Sequence, residues 1–268
     1  MERRNFYEII NNSEINLDAE YERIHDLFYY PDIYDNSLED IISEAFLQFP
    51  VSFRKRTVSL SDFNNTYGFQ FAKRVRVGSI ERLILFCEYI SSFINQLVNY
   101  CIEALDEDEV SYINFMDEVI DGCMDALGLV SAKMDDTIIY IEKDAGAMSV
   151  AEIVPHQIAY SVLEYNHFRL KGDLKRKSEI LKAMADNIES ERGELKKINA
   201  KLETQLFQLL NKFVRHDHSK TEYITKMSDV EIENVYDDIY QLWLMAKLEM
   251  DNQDRRNRMK LLLDEMNG

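Results

Sequence analysis

Chain breakers are scarce in this sequence: its 268 residues include 8 Gly and 3 Pro. So few turn formers argue against an architecture of many short strands and for long helices. Cysteine is scarce as well. Cys87, Cys101 and Cys123 are odd in number and widely spaced, which excludes a disulfide framework or a zinc motif. They are expected as buried, reduced thiols on apolar helix faces. No apolar run approaches about 18 residues, so no membrane span is expected. The opening Met1-Glu2-Arg3-Arg4 has no apolar signal region, so a cytoplasmic protein is expected. GxxxxGK[ST], GxGxxG, HExxH and GxSxG are all missing, which argues against a nucleotide-driven motor, a Rossmann oxidoreductase and an α/β-hydrolase. No cofactor is expected.

Positive charge is also in deficit, at a net -18. Such a surface repels phosphates, so duplex DNA is not an expected partner. The deficit is uneven. Arg54, Lys55, Arg56, Lys73, Arg74, Arg76 and Arg82 face only Asp62 and Glu81 over that stretch, with Phe53, Phe63, Tyr67, Phe69 and Phe71 between them. Two readings stand: an anion or RNA surface, or a loop-and-strand region paired with the acidic remainder. The apolar content of 46% excludes wholesale disorder and suffices for a core.

Apolar spacing predicts a mainly α fold: a multi-helix bundle with a small β-hairpin at about 137–154 between two helical halves, 1–128 and 129–268. Helices are expected over Asp18–Tyr30, from Ser37 with Asp40 as a partial capping box, and from Ser79 to about Leu105. Another should run from Val110 to Leu127, with Gly128 just beyond it. Thr137–Ile141 and Ser149–Val154 are expected to pair as strands, with a third strand available from 129–134.

Leu174, Leu181, Ile188, Leu195, Leu202 and Leu209 recur every seven residues along a helix expected from about 173 to 213. The companion positions are polar too often for a strong zipper. That helix therefore reads as one arm of an intramolecular hairpin or as a weak dimer seam. Ser228-Asp229-Val230-Glu231 is a capping box opening a helix, and a last helix is expected from about Asp254, bearing Arg255, Arg256, Arg258 and Lys260 before Leu261, Leu262 and Leu263.

The densest polar cluster is Arg215-His216-Asp217-His218. It permits three readings. Arg215 and the imidazoles can cap the carbonyls of the preceding helix, with Asp217 accepting from nearby amides. Arg215 can hold an RNA phosphate while His216 or His218 acts as the acid or base. Or the two histidines, with Asp237 or Asp238, can bind a metal, although H-x-H alone is a weak signal. No metal site is expected.

The stretch from Leu209 to His218, followed by Glu233-Asn234-Val235-Tyr236-Asp237, resembles bacterial helical proteins of the HEPN and abortive-infection group over roughly residues 150–255. The resemblance implies a helical bundle with an Arg/His polar site at a partner or dimer surface, in phage defence or toxin–antitoxin systems. The HEPN nuclease spacing, Arg then His after four to six residues, is absent: Lys220, Thr221 and Glu222 occupy the positions that follow Arg215 at that distance.

The sequence thus predicts a defence- or prophage-type interaction protein acting through the Arg215–His218 site, with a protein partner or a homodimer. Asp217, Arg54, Lys55, Arg56, Lys73, Arg74 and Arg76 are its candidate binding residues. Two alternatives stand beside it. One is a metal-independent endoribonuclease using Arg215 with His216 or His218, with RNA as partner. The other is a coiled-coil scaffold dimer.

Overall fold

The structure is a computed structural model whose described residues are 15–30, 36–72, 80–215 and 224–267. Twelve α-helices and one two-stranded hairpin make up these residues. They fall into two compact units, Met1–Tyr140 and Ile141–Gly268, with the boundary inside the second strand. No helix among the described residues is long and apolar enough to cross a membrane.

The first unit holds α1 (Leu17–Tyr29), α2 (Leu38–Ala45), α3 (Val51–Arg54), α4 (Leu60–Tyr67), α5 (Ile80–Tyr100) and α6 (Glu107–Ala126). The expected capping box at Ser37 is present, while the expected cap Ser79 lies outside the described residues. Ser37 Oγ accepts from the Asp40 amide at 3.1 Å, and Asp40 accepts from the Ser37 amide at 3.1 Å. Asp106 and Glu109 form the same reciprocal pair at the start of α6. Residues 51–72 correct an expectation. They form two short helices rather than loop and strand. Ser59 caps α4, and Gly68 closes it in the left-handed region at φ 76°.

Most of the aromatics that alternate with basic residues there turn inward, while Tyr67 stays exposed. Phe53 and Phe63 lie 5.2 and 5.5 Å from Phe93, ring centre to ring centre, and Phe71 lies 4.7 Å from Phe86. Phe53 and Phe71 are core, and Phe63 is half-buried against them. All three cysteines are buried and unpaired.

The middle of helix α5, from Phe86 to Ile94, is buried on all sides, and the helix carries polar side chains that receive the hairpin. The hairpin is β1 (Leu129–Met134) with β2 (Thr137–Glu142). This corrects the strand pairing: 149–154 is not a strand, and the reserve segment 129–134 is the partner. Asp135 turns the chain at φ 52°, a conformation that Asp tolerates better than most residues. A lone two-stranded ribbon leaves an edge of unpaired amides. Here the Tyr140 amide donates to buried Glu88 at 2.9 Å, the Ile138 amide donates to Ser92 at 3.0 Å, and Gln96 donates to the Asp136 carbonyl at 2.6 Å.

The second unit holds α7 (Ala145–Ala151), α8 (His156–Tyr165), α9 (Leu174–Glu189), α10 (Arg192–Ile198), α11 (Ala200–Leu209), a π-helical turn (Leu210–Arg215) and α12 (Asp229–Asn267). The expected single helix from 173 to 213 is therefore broken twice. Asn199 makes the second break: its backbone leaves the helical region at φ -146° and ψ 86°, and its side chain accepts from the Leu202 amide at 3.0 Å while donating to Glu249. The seven-residue series serves this core. Leu181, Ile188, Leu195 and Leu202 are buried with Trp243, Ile239 and Met184, while Leu174 and Leu209 pack at its edge. The series is consumed inside the unit, which removes it as a dimer seam.

Candidate functional site

The polar cluster is only partly within the described residues. His216, Asp217 and His218 lie outside them, as do Lys73, Arg74 and Arg76. Arg215 lies at the end of the π-helical turn. Its guanidinium forms an ion pair with Glu189 at 2.5 Å, donates to the Ala185 carbonyl at 2.9 Å, and lies 6.0 Å from the centre of the Phe207 ring. It ties the π-turn back onto α9. A cation so engaged has lost much of what phosphate binding requires of it. Arg215→Ala is expected to cost about 1 kcal/mol of second-unit stability. Thermal unfolding checks this, and an unchanged midpoint would contradict the anchoring role.

The described basic residues of the first unit do not converge on a site. Arg54 donates to the Phe49 and Thr57 carbonyls at 3.1 and 3.0 Å, closing the turn after α3. Lys55 and Arg56 are exposed beside it. Arg82 donates to the Gln70 carbonyl at 2.7 Å. No group of three or more potential metal ligands occurs among the described residues. Of the acids offered as partners for a histidine metal site, Asp237 is engaged elsewhere and Asp238 is exposed.

The second unit contains a cleft of about 850 Å³ between the end of β2, the α7 start, the α8 end and α12. Its floor is a polar cluster that sequence reasoning missed. Lys177 on α9 is almost fully buried. Its ammonium contacts Asp237 at 2.7 Å and Glu233 at 2.9 Å, and it sits 5.0 Å from the Tyr165 ring centre. Tyr165 donates to the same Asp237 oxygen at 2.8 Å and stacks on Tyr240 at 4.1 Å. Tyr240 donates to the Val162 carbonyl and accepts from Asn166.

Burial, reinforced by Asp237, pushes the Tyr165 phenol far above its ordinary value, and burial does the same to Tyr240. Neither phenol can serve as a base near neutrality. The Lys177 ammonium spends its protons on two carboxylates. The arrangement is a set of mutually satisfied groups that docks α8 and α9 onto α12, and it presents no primed acid or nucleophile. In sequence, Lys177 sits at a +3 position of the seven-residue series, which reads as a solvated polar face. Only the distant partners at 233 and 237 distinguish it.

Glu233 gives this cluster a pH signature. The Gly172 amide, at 2.7 Å, and then Lys177 hold its carboxyl below the usual carboxylate range. A carboxyl lowered by folding stabilises the fold above its unfolded pKa of about 4.3. That stabilisation is lost as pH falls through the lower, folded value. The second unit's melting temperature should therefore drop below about pH 4. Glu233→Gln should flatten this acid limb, and equal acid slopes in the two proteins would count against the assignment.

The remaining feature is the far end of α12. Ser228 and Glu231 cap its start, with the Ser228 amide donating at 2.8 Å. Tyr236, Ile239, Tyr240, Trp243, Leu244, Ala246 and Met250 form its buried stripe. The stripe then stops, and the helix does not. Every side chain from Asp254 to Met266 is exposed. The expected separate helix from Asp254 is thus a continuation of α12. At 39 residues α12 is about 58 Å long. Its last turns carry Met259, Leu262, Leu263 and Met266 at 55, 47, 53 and 74% exposure. Their i, i+3, i+4, i+7 spacing places them on one face.

Comparison with known protein families, with curated proteins and with solved structures finds no match to this chain.

Proposed function

We propose that this is a non-enzymatic interaction protein whose working surface is the exposed end of α12. The observation that carries the reading is the mismatch between the helix and its own core: α12 runs on for more than four turns past its last buried residue, Met250, and its last two turns carry an exposed apolar face of four side chains. Isolated helices of this length are marginal in water. A contiguous exposed apolar face on a polar surface marks a binding surface more often than chance. The internal commitments of Arg215 and of the Lys177 cluster support the same reading, because each spends its charge within the second unit.

The test is a photo-crosslinking residue introduced at Leu262 in the full chain in cells, beside the same residue at exposed Lys182 on α9. The reading expects a discrete adduct from position 262 alone. The polypeptide identified in it, once purified, should bind the wild type and fail to bind Leu262→Asp. Equal, diffuse adducts from both positions would overturn it.

A further inference from the structure

The charges on the exposed end of α12 specify what covers it. From Asp251 the order is acidic (Asp251, Asp254), basic (Arg255, Arg256, Arg258, Lys260), then acidic again (Asp264, Glu265). On a seven-residue frame, Met259 and Met266 take one core position, and Arg255 and Leu262 take the other. Arg258 and Glu265 flank the core on the same side.

Two copies laid parallel would set Arg255 against Arg255 in the seam and Arg258 against Leu263. Two copies laid antiparallel about a point between Lys260 and Leu261 take Arg255 away from its own copy and give Arg258 an acidic partner, with Leu263 left beside the aliphatic stem of Arg256. Met259 of each copy then faces Leu262 of the other. Met266 lies along the aliphatic stem of Arg255, whose head stays with Asp251 on its own helix, 2.7 Å away. Arg258 of each copy faces Glu265 of the other, twice over by symmetry.

The core of the second unit does not stand in the way of this pairing. The buried stripe ends at Met250, so the two second-unit cores would be held about 31 Å apart along the helix axis.

We infer that the α12 end pairs with the α12 end of a second copy of this chain in an antiparallel two-helix contact. This rests on the interaction reading above and names the partner. The apolar face from Met259 to Met266 spans about two turns, far less than the seam of a permanent zipper, so the contact is reversible and belongs to the small, weak interface class, with micromolar dissociation constants. The net charge of -18 and the acids at 264 and 265 disfavour an anionic lipid surface as the alternative cover.

The experiment is sedimentation velocity on the full chain from about 1 to 200 µM, a range that brackets the affinity class. The wild type should pass from monomer to dimer. Leu262→Asp should remain monomeric throughout. Residue 262 is exposed, so this variant should melt like the wild type. Arg258→Glu and Glu265→Arg should each weaken the dimer about tenfold. The double variant Arg258→Glu/Glu265→Arg should restore it.

A monomer at every concentration overturns the self-pairing. So does a dimer that ignores the two charge reversals. Neither result touches the crosslink from position 262 to a different polypeptide, which tests the interaction reading separately.

Discussion

Trp243→Ala is expected to remove about 3–5 kcal/mol from the second unit. This is the chain's only tryptophan, and its side chain is fully buried on α12. Its indole N–H donates to the Met184 carbonyl at 2.8 Å, and the Lys247 ammonium lies 5.4 Å from its ring centre. The loss therefore combines a large cavity, a buried hydrogen bond and a cation–π contact. Trp243→Phe keeps most of the volume and should cost only about 1–2 kcal/mol. Far-UV circular dichroism in urea measures both. In the wild type, Trp243 fluorescence follows the second unit alone, so the two signals can be compared directly. A loss under about 1 kcal/mol for the alanine variant would mean that α12 is not the keystone of this core.

Lys177→Ala should produce the next largest effect. Removing one partner of a buried ion pair costs about 3–5 kcal/mol when the remaining charge is fully buried. Asp237 is half exposed and Glu233 keeps its Gly172 amide, so about 2–3 kcal/mol is expected here. Lys177→Met/Asp237→Asn should recover most of that loss, because it removes the orphaned charge along with the cation. The double-mutant cycle on chemical denaturation tests this. Additive losses would show that the three groups do not act as one unit.

The helix starts were legible because their signals are local. Ser37 with Asp40 and Ser228 with Glu231 fall three residues apart, and both pairs are capping boxes in the folded chain. The mainly helical class and the presence of a hairpin were legible from period and β-branched density. The strand partner was not. Ser149–Val154 has strand-forming residues, but Asp144 accepts from the Ala147 amide at 3.0 Å and nucleates α7 across that segment. A single side-chain cap overrides propensity there.

The breaks in the predicted long helix were hidden for a similar reason. Asn199 looks like one more polar mismatch in a seven-residue series, and its bond to Glu249 fifty residues away is invisible in sequence. The Leu261–Leu263 run was visible, but as an ordinary last helix. Its meaning depends on where the buried stripe of α12 stops, which is a property of packing and not of pattern.

The measurement that tests the central claim most directly is a crosslinking scan around the end of α12. The photoreactive residue would be placed in turn at 257, 259, 260, 262, 263, 264 and 266 of the full chain. An apolar interaction face predicts strong adducts at 259, 262, 263 and 266, and weak ones at 257, 260 and 264, following the helical repeat. Equal yield around the helix, or none at any position, would contradict the assignment of this surface as the one through which the protein works.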